Sequence, residues 1–86
     1  MEIVYSPKFA RDYKKLPDKV KVAAEKRESI FRKDPFDSRL KTHKLTGYLE
    51  GFWSFSITHS YRIIFDFADK QTVRFYRVGD HTIYKA

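Results

Sequence analysis

The chain of 86 residues has no cysteine. That excludes disulfides, thiolate metal centres and thiol catalysis. Glycine is scarce: Gly47, Gly51 and Gly79 stand far from one another, so there is no glycine-rich phosphate cradle. The three histidines, His43, His59 and His81, lack metal-like spacing, and no Ser/His/Asp constellation is legible. Neither a metal nor any other cofactor is expected. No apolar run approaches the roughly 18 residues of a membrane span. Met1-Glu2-Ile3-Val4-Tyr5 lacks the charged start and long apolar segment of a signal peptide. A cytoplasmic protein with no membrane partner is the expectation. Internal repeats and low-complexity segments are absent as well. Acidic side chains are too few to balance the basic ones, 11 against 18, which leaves a net charge of +7.

Aromatic residues are abundant, at 17% of the chain. A single domain spanning residues 1–86 is expected, and one this short needs large side chains to fill its core. The positive excess is not a detachable tail. Residues 1–50 hold 13 basic and 8 acidic side chains, and residues 51–86 hold 5 and 3. A basic folded surface of this kind suits a polyanion: RNA, DNA or an acidic protein.

Glu2 to Tyr5 reads as a short strand. Ser6-Pro7 then supplies a hydroxyl cap and a proline at the first helical position. Phe9, Tyr13 and Leu16 share one helical face, and Pro17-Asp18 breaks this helix and restarts another. Val20, Ala23, Ala24, Arg27, Ile30 and Phe31 continue a stripe to Lys33, where Asp34-Pro35 ends it. A polar loop follows, then a short extended segment at His43-Lys44-Leu45. From Phe52 the period changes to two. Trp53, Phe55 and Ile57 alternate with Ser54, Ser56 and Thr58, and Tyr61, Ile63, Phe65 and Phe67 form one face of the next strand. Thr72 to Val78 is a further strand, rich in β-branched and aromatic residues. The predicted fold is α+β: a short N-terminal strand, a helical hairpin, then an antiparallel β-meander with the helices packed on one sheet face.

Strand parity puts Arg62 opposite Tyr61, Ile63 and Phe65, on the second face. If that face is open, its planar fork of donors suits a phosphate; the alternative is an ordinary strand arginine paired with Asp66. His81 follows Gly79 at a strand end, where Arg62, Arg77 and Tyr84 can converge on it, and histidine exchanges protons near neutral pH. His43 lies between Lys41 and Lys44. Across a basic groove, His43 and His81 would make the base and acid of a ribonuclease: one removes the 2′-hydroxyl proton and the other protonates the leaving 5′-oxygen. Such a reaction needs RNA, because DNA lacks the 2′-hydroxyl. His59 sits in a turn and reads as solvated. Trp53, Tyr61 and Tyr76 are candidate stacking surfaces for bases, although a small core needs most of its aromatics inside.

His43-Lys44-Leu45-Thr46-Gly47, Gly51-Phe52-Trp53-Ser54 with Ile57-Thr58, Tyr61-Arg62-Ile63-Ile64-Phe65, and Val78-Gly79-Asp80-His81 with Tyr84 occur in this order. In them the chain resembles the RelE/ParE superfamily of type II toxins, and within it the RelE, YoeB and YafQ ribonuclease branches. The resemblance spans nearly the whole chain. It implies a RelE-like fold and a ribosome-dependent endoribonuclease, an mRNA interferase that halts translation. It further implies His43 as general base or its aid, Arg62 as the stabiliser of the phosphate, His81 as general acid and Tyr84 as a stacking or orienting group. Lys41, Lys44, Trp53, Ser56, Tyr61 and Arg77 would contact RNA. Ser56 departs from the pattern, since YafQ-type toxins carry a further histidine there. The implied partners are mRNA and ribosomal RNA on the ribosome, and a cognate antitoxin whose acidic, partly disordered segment folds over the basic surface. A ParE-type inhibitor of DNA gyrase and a catalytically inert RelE-fold binding domain are the alternatives.

Overall fold

The computed structural model describes residues 1–85. Strand β1 (Glu2–Tyr5) leads into helices α1 (Pro7–Lys14) and α2 (Asp18–Lys33). Four more strands follow: β2 (His43–Lys44), β3 (Trp53–Ser56), β4 (Arg62–Phe67) and β5 (Thr72–Gly79). Single 3-10 turns occupy Ser38–Leu40, Gly47–Leu49 and His81–Tyr84. The sheet order is β1-β5-β4-β3-β2, and every pairing is antiparallel except β1 with β5, which is parallel. The α+β expectation holds, and the first strand joins the meander as its parallel edge.

Local chemistry sets the boundaries. Ser6 Oγ accepts from Phe9 N at 2.9 Å, capping α1 ahead of Pro7. Asp34 is extended, as a residue before proline must be, and α2 stops at Lys33.

The main core lies between the helices and one sheet face. At its centre Phe31 of α2 stacks on Phe55 with ring centroids 4.8 Å apart, and meets Phe65 and Phe75 edge-on at 4.9 and 5.4 Å. All four rings are fully buried.

The opposite face is not open, as the strand parity had left possible. Leu49, Ile64 and Ile83 form a second buried cluster on it, with Leu45, Phe52, Tyr76 and Tyr84 packed around them. Two 3-10 turns supply Leu49 and Ile83, and neither is long enough to show a periodic signal. The register between β4 and β5 slips by one residue, so that Ile64 faces Arg77 while Phe65 faces Phe75. Tyr76 is the extra residue of this bulge, and it packs on Phe52 at 5.0 Å.

Where β1 ends, α1 takes over the edge of β5. Ser6 N donates to the Phe75 carbonyl, Ser6 Oγ donates to the Tyr76 carbonyl, and the Asp12 carboxylate accepts from Val78 N at 3.1 Å. The same carboxylate takes two bonds from Arg77, at 2.7 and 3.2 Å. The bonds from Asp12 raise the pKa of the Arg77 guanidinium further, against the opposing effect of burial. Asp12→Ala removes all three bonds and leaves a strand N–H without its acceptor. The expected loss is about 2 kcal/mol, on the scale of hydrogen bonds to a charged group. It is read as a lower urea midpoint at unchanged m-value; an unchanged midpoint would remove this contact from the account.

Candidate functional site

Cross-strand register builds the site on the face away from the helices. His43, Ser54 and Ile64 form one row across β2, β3 and β4. Ser56, Arg62 and Gly79 form the adjacent row across β3, β4 and β5. The His81–Tyr84 turn lies on this same face: Ile83 packs on Ile64, and the Tyr84 hydroxyl hydrogen-bonds Ser54 Oγ at 2.7 Å. Gly79 permits that seating. A Cβ there would stand 2.7 Å from Ile83 Cγ2, and Ile83 is a buried, branched side chain with little room to yield.

His81 opens the turn and is exposed. The Asp80 carboxylate caps the turn by accepting from Thr82 N at 3.0 Å and from the Thr82 hydroxyl at 2.7 Å. Those bonds hold its carboxyl below the ordinary range. The cap fixes the backbone on which His81 is carried.

Arg62 is half-buried, and its Nη1 donates to Ser56 Oγ. Its alternative partner is taken: Asp66 holds Arg74 through two bonds, at 2.9 and 2.6 Å. Among the described residues Arg62 therefore has no carboxylate partner, and its charge is available to an anion.

His43 is exposed, with Nδ1 3.0 Å from the Lys41 carbonyl. Lys41 is the one non-glycine residue of positive φ among those described, at 54°, and caps the Ser38–Leu40 turn in the left-handed region. A carbonyl only accepts. In the neutral ring Nδ1 therefore carries the hydrogen, and Nε2 is left as the basic nitrogen.

The structure thus brings His43, Ser56, Arg62, Tyr84 and the turn bearing His81 to one face. Other predicted RNA contacts lie on the other face or are engaged in packing and pairing. Lys44 and Trp53 fall on the helix-side parity at the β2 edge, with Lys44 Nζ 5.4 Å over the Trp53 ring. Trp53 packs against Phe36 and Phe67. Tyr61 packs half-buried against the main core, Tyr76 belongs to the second cluster, and Arg77 is held by Asp12. Parity is the reason for Trp53: it shares its face with Phe55 of the same strand.

Sequence reasoning missed a basic cleft beside this face. Arg27, Arg39, Lys41, Ser56, His59 and Arg62 line a cavity of about 220 Å³. One signal was available, since Arg27 is a cation inside an otherwise apolar helical stripe. Among the described residues no group of three or more His, Cys, Asp or Glu is placed to hold a metal ion. No helix there is long and apolar enough to cross a membrane.

The family model described as a bacterial toxin of a type II toxin–antitoxin system, YafQ, matches residues 1–84. The crystal structure of YafQ from E. coli is similar with a TM-score of 0.81, at 19% identity over 99% of this chain and 98% of that one. A YoeB/ParE toxin from Agrobacterium tumefaciens gives 0.78, at 20% identity over 94% and 99%. YafQ in the E. coli DinJ–YafQ complex gives 0.70, at 22% identity over 99% and 98%. No curated protein sequence matches the chain.

Proposed function

Because the chain belongs to the YafQ family of bacterial toxins of type II toxin–antitoxin systems, we propose that it is an endoribonuclease that cuts mRNA on the ribosome. The observation that carries this reading is one sheet face holding an arginine without a carboxylate partner among the described residues, a histidine of fixed tautomer and a second histidine on a capped turn. His43 Nε2 takes the proton of a 2′-hydroxyl. The freed oxygen attacks the adjacent phosphorus. The Arg62 fork donates to the non-bridging oxygens as charge builds on them. His81, as imidazolium, gives its proton to the departing 5′-oxygen. The products are a 2′,3′-cyclic phosphate and a 5′-hydroxyl, so atoms and protons balance without a metal. Tyr84, anchored through Ser54, offers a ring to a base beside the reacting phosphate. Ser56, which replaces a histidine of the family pattern, orients Arg62 through its hydroxyl.

The partner expected for control is a cognate antitoxin with an acidic segment that folds on this basic surface. The complex of YafQ with DinJ supports that expectation for a relative.

The test is cell-free translation of a defined mRNA with the purified protein. Cuts within ribosome-bound codons, each leaving a 2′,3′-cyclic phosphate, are expected. Intact mRNA together with arrested DNA supercoiling would replace this reading with gyrase inhibition.

A further inference from the structure

We propose that the cleft lined by Arg27, Arg39, Lys41, Ser56, His59 and Arg62 is a second phosphate site, which holds the backbone phosphate next to the reacting one on a single-stranded RNA. The inference rests on the ribonuclease reading for the position of the reacting phosphate, and on the cleft itself for the rest.

The cleft gathers side chains from separate parts of the chain: α2, the Ser38–Leu40 turn and its cap, the end of β3, the turn after it and the start of β4. Four of its lining residues are cations. Asp37, two residues before Arg39, is committed to it, accepting from its Nε and Nη2 at 3.0 and 2.9 Å. The Arg39 hydrogen bonds hold the Asp37 carboxyl at about 2, so the pair stays locked as ions. Arg27, half-buried on α2, has among the described residues only a backbone partner, the Arg39 carbonyl at 2.6 Å. That bond aims the guanidinium at the cleft without neutralising it. The hydroxyl of Ser56 lies on the wall, already engaged with Arg62. Positive charge held on rigid elements, with a hydroxyl among it, is the chemistry that grips a phosphodiester.

Position decides between phosphate donors. Lys41, Ser56 and Arg62 belong both to the cleft and to the neighbourhood of His43 and His81. A strand with one phosphate among His43, Arg62 and His81 therefore lays its neighbouring phosphate toward Arg27 and His59. An acidic peptide has no such fixed spacing to satisfy.

The test uses a single-stranded 2′-O-methyl RNA oligonucleotide, which binds but cannot be cut, titrated over a range of salt concentrations. Two variants are compared with wild type. Arg27→Gln removes one cation. His59→Glu places an anion at the cleft mouth, on an exposed turn residue that makes no hydrogen bond among the described residues. The slope of log affinity against log salt is expected to fall by about 0.7 for Arg27→Gln, the loss of one neutralised phosphate on a single strand. His59→Glu is expected to lower it by at least as much, with a thermal midpoint like that of wild type. Unchanged slopes in His59→Glu and in folded Arg27→Gln overturn the proposal, as does a wild type that binds no oligonucleotide at low salt. Weakened binding of polyglutamate with undiminished binding of RNA overturns it in favour of an acidic protein ligand. The expected slopes in a protein that cuts no mRNA during translation support the cleft and remove the ribonuclease reading instead.

Discussion

His81→Ala is expected to lower the rate of cleavage of ribosome-bound mRNA by about 10²-fold or more, the scale of losing a positioned general acid. Arg62→Ala is expected to cost as much, because its fork is the group assigned to the charge that builds on the phosphate oxygens. The two losses differ in kind. His81 lies exposed on a turn, so its removal leaves the thermal midpoint close to that of wild type. Arg62 holds Ser56 as well as the charge, so Arg62→Ala weakens RNA binding together with the chemical step. Arg62→Lys keeps the charge and loses the fork, and recovers only part of the rate. Single-turnover cleavage in translating extracts separates these cases. A His81→Ala protein that cuts like wild type takes that residue out of the mechanism.

Phe31→Ala is the substitution expected to damage the fold most. The ring is fully buried against three others, and its removal leaves a hole between the α2 layer and the sheet. Large-to-small changes of a buried phenylalanine cost about 3–5 kcal/mol. A chain of this length holds a total stability of about 4–13 kcal/mol, so the variant loses between about a quarter and all of it. Circular dichroism during urea titration should show the midpoint collapse. Phe31→Leu, which keeps most of the volume, is expected to lose about 1.5 kcal/mol or less. A loss below about 1 kcal/mol for Phe31→Ala would mean that the four-ring cluster closes on itself.

What could be read from the residues alone was what is local. Ser6-Pro7 starts a helix and Asp34-Pro35 stops one, because a cap and a steric clash act within a few residues. The alternation from Trp53 to Thr58 revealed a strand and its two faces. Contacts distant along the chain left no such mark. Asp12 is the one acid on a basic helix, and nothing near it announces that it will bond Arg77 and Val78. The parallel pairing of β1 with β5 follows from tertiary packing, as does the covering of Ile64 by Leu49 and Ile83. At the site, Arg62 was legible because a cation interrupted an apolar run. Arg27 carried the same mark within a helix, yet its meaning depended on where the Ser38–Leu40 turn would bring Arg39 and Lys41. The tautomer of His43 was beyond reach, since it depends on one left-handed backbone angle at Lys41.

The pairing of β1 with β5 sets an order of events. Ile3 finds its register partner only at Val73, and Arg62 finds the neighbour that completes its row only at Gly79. During synthesis the first strand must wait for a segment about seventy residues later, and so long a loop closes slowly. The His81–Tyr84 turn, which seats on Gly79 and Ile64, comes later still. A growing chain thus carries Arg62 on an unfinished sheet, without the turn that bears His81. On the proposed ribonuclease reading, the face that carries the chemistry is complete only once residues 81–84 have emerged from the ribosome.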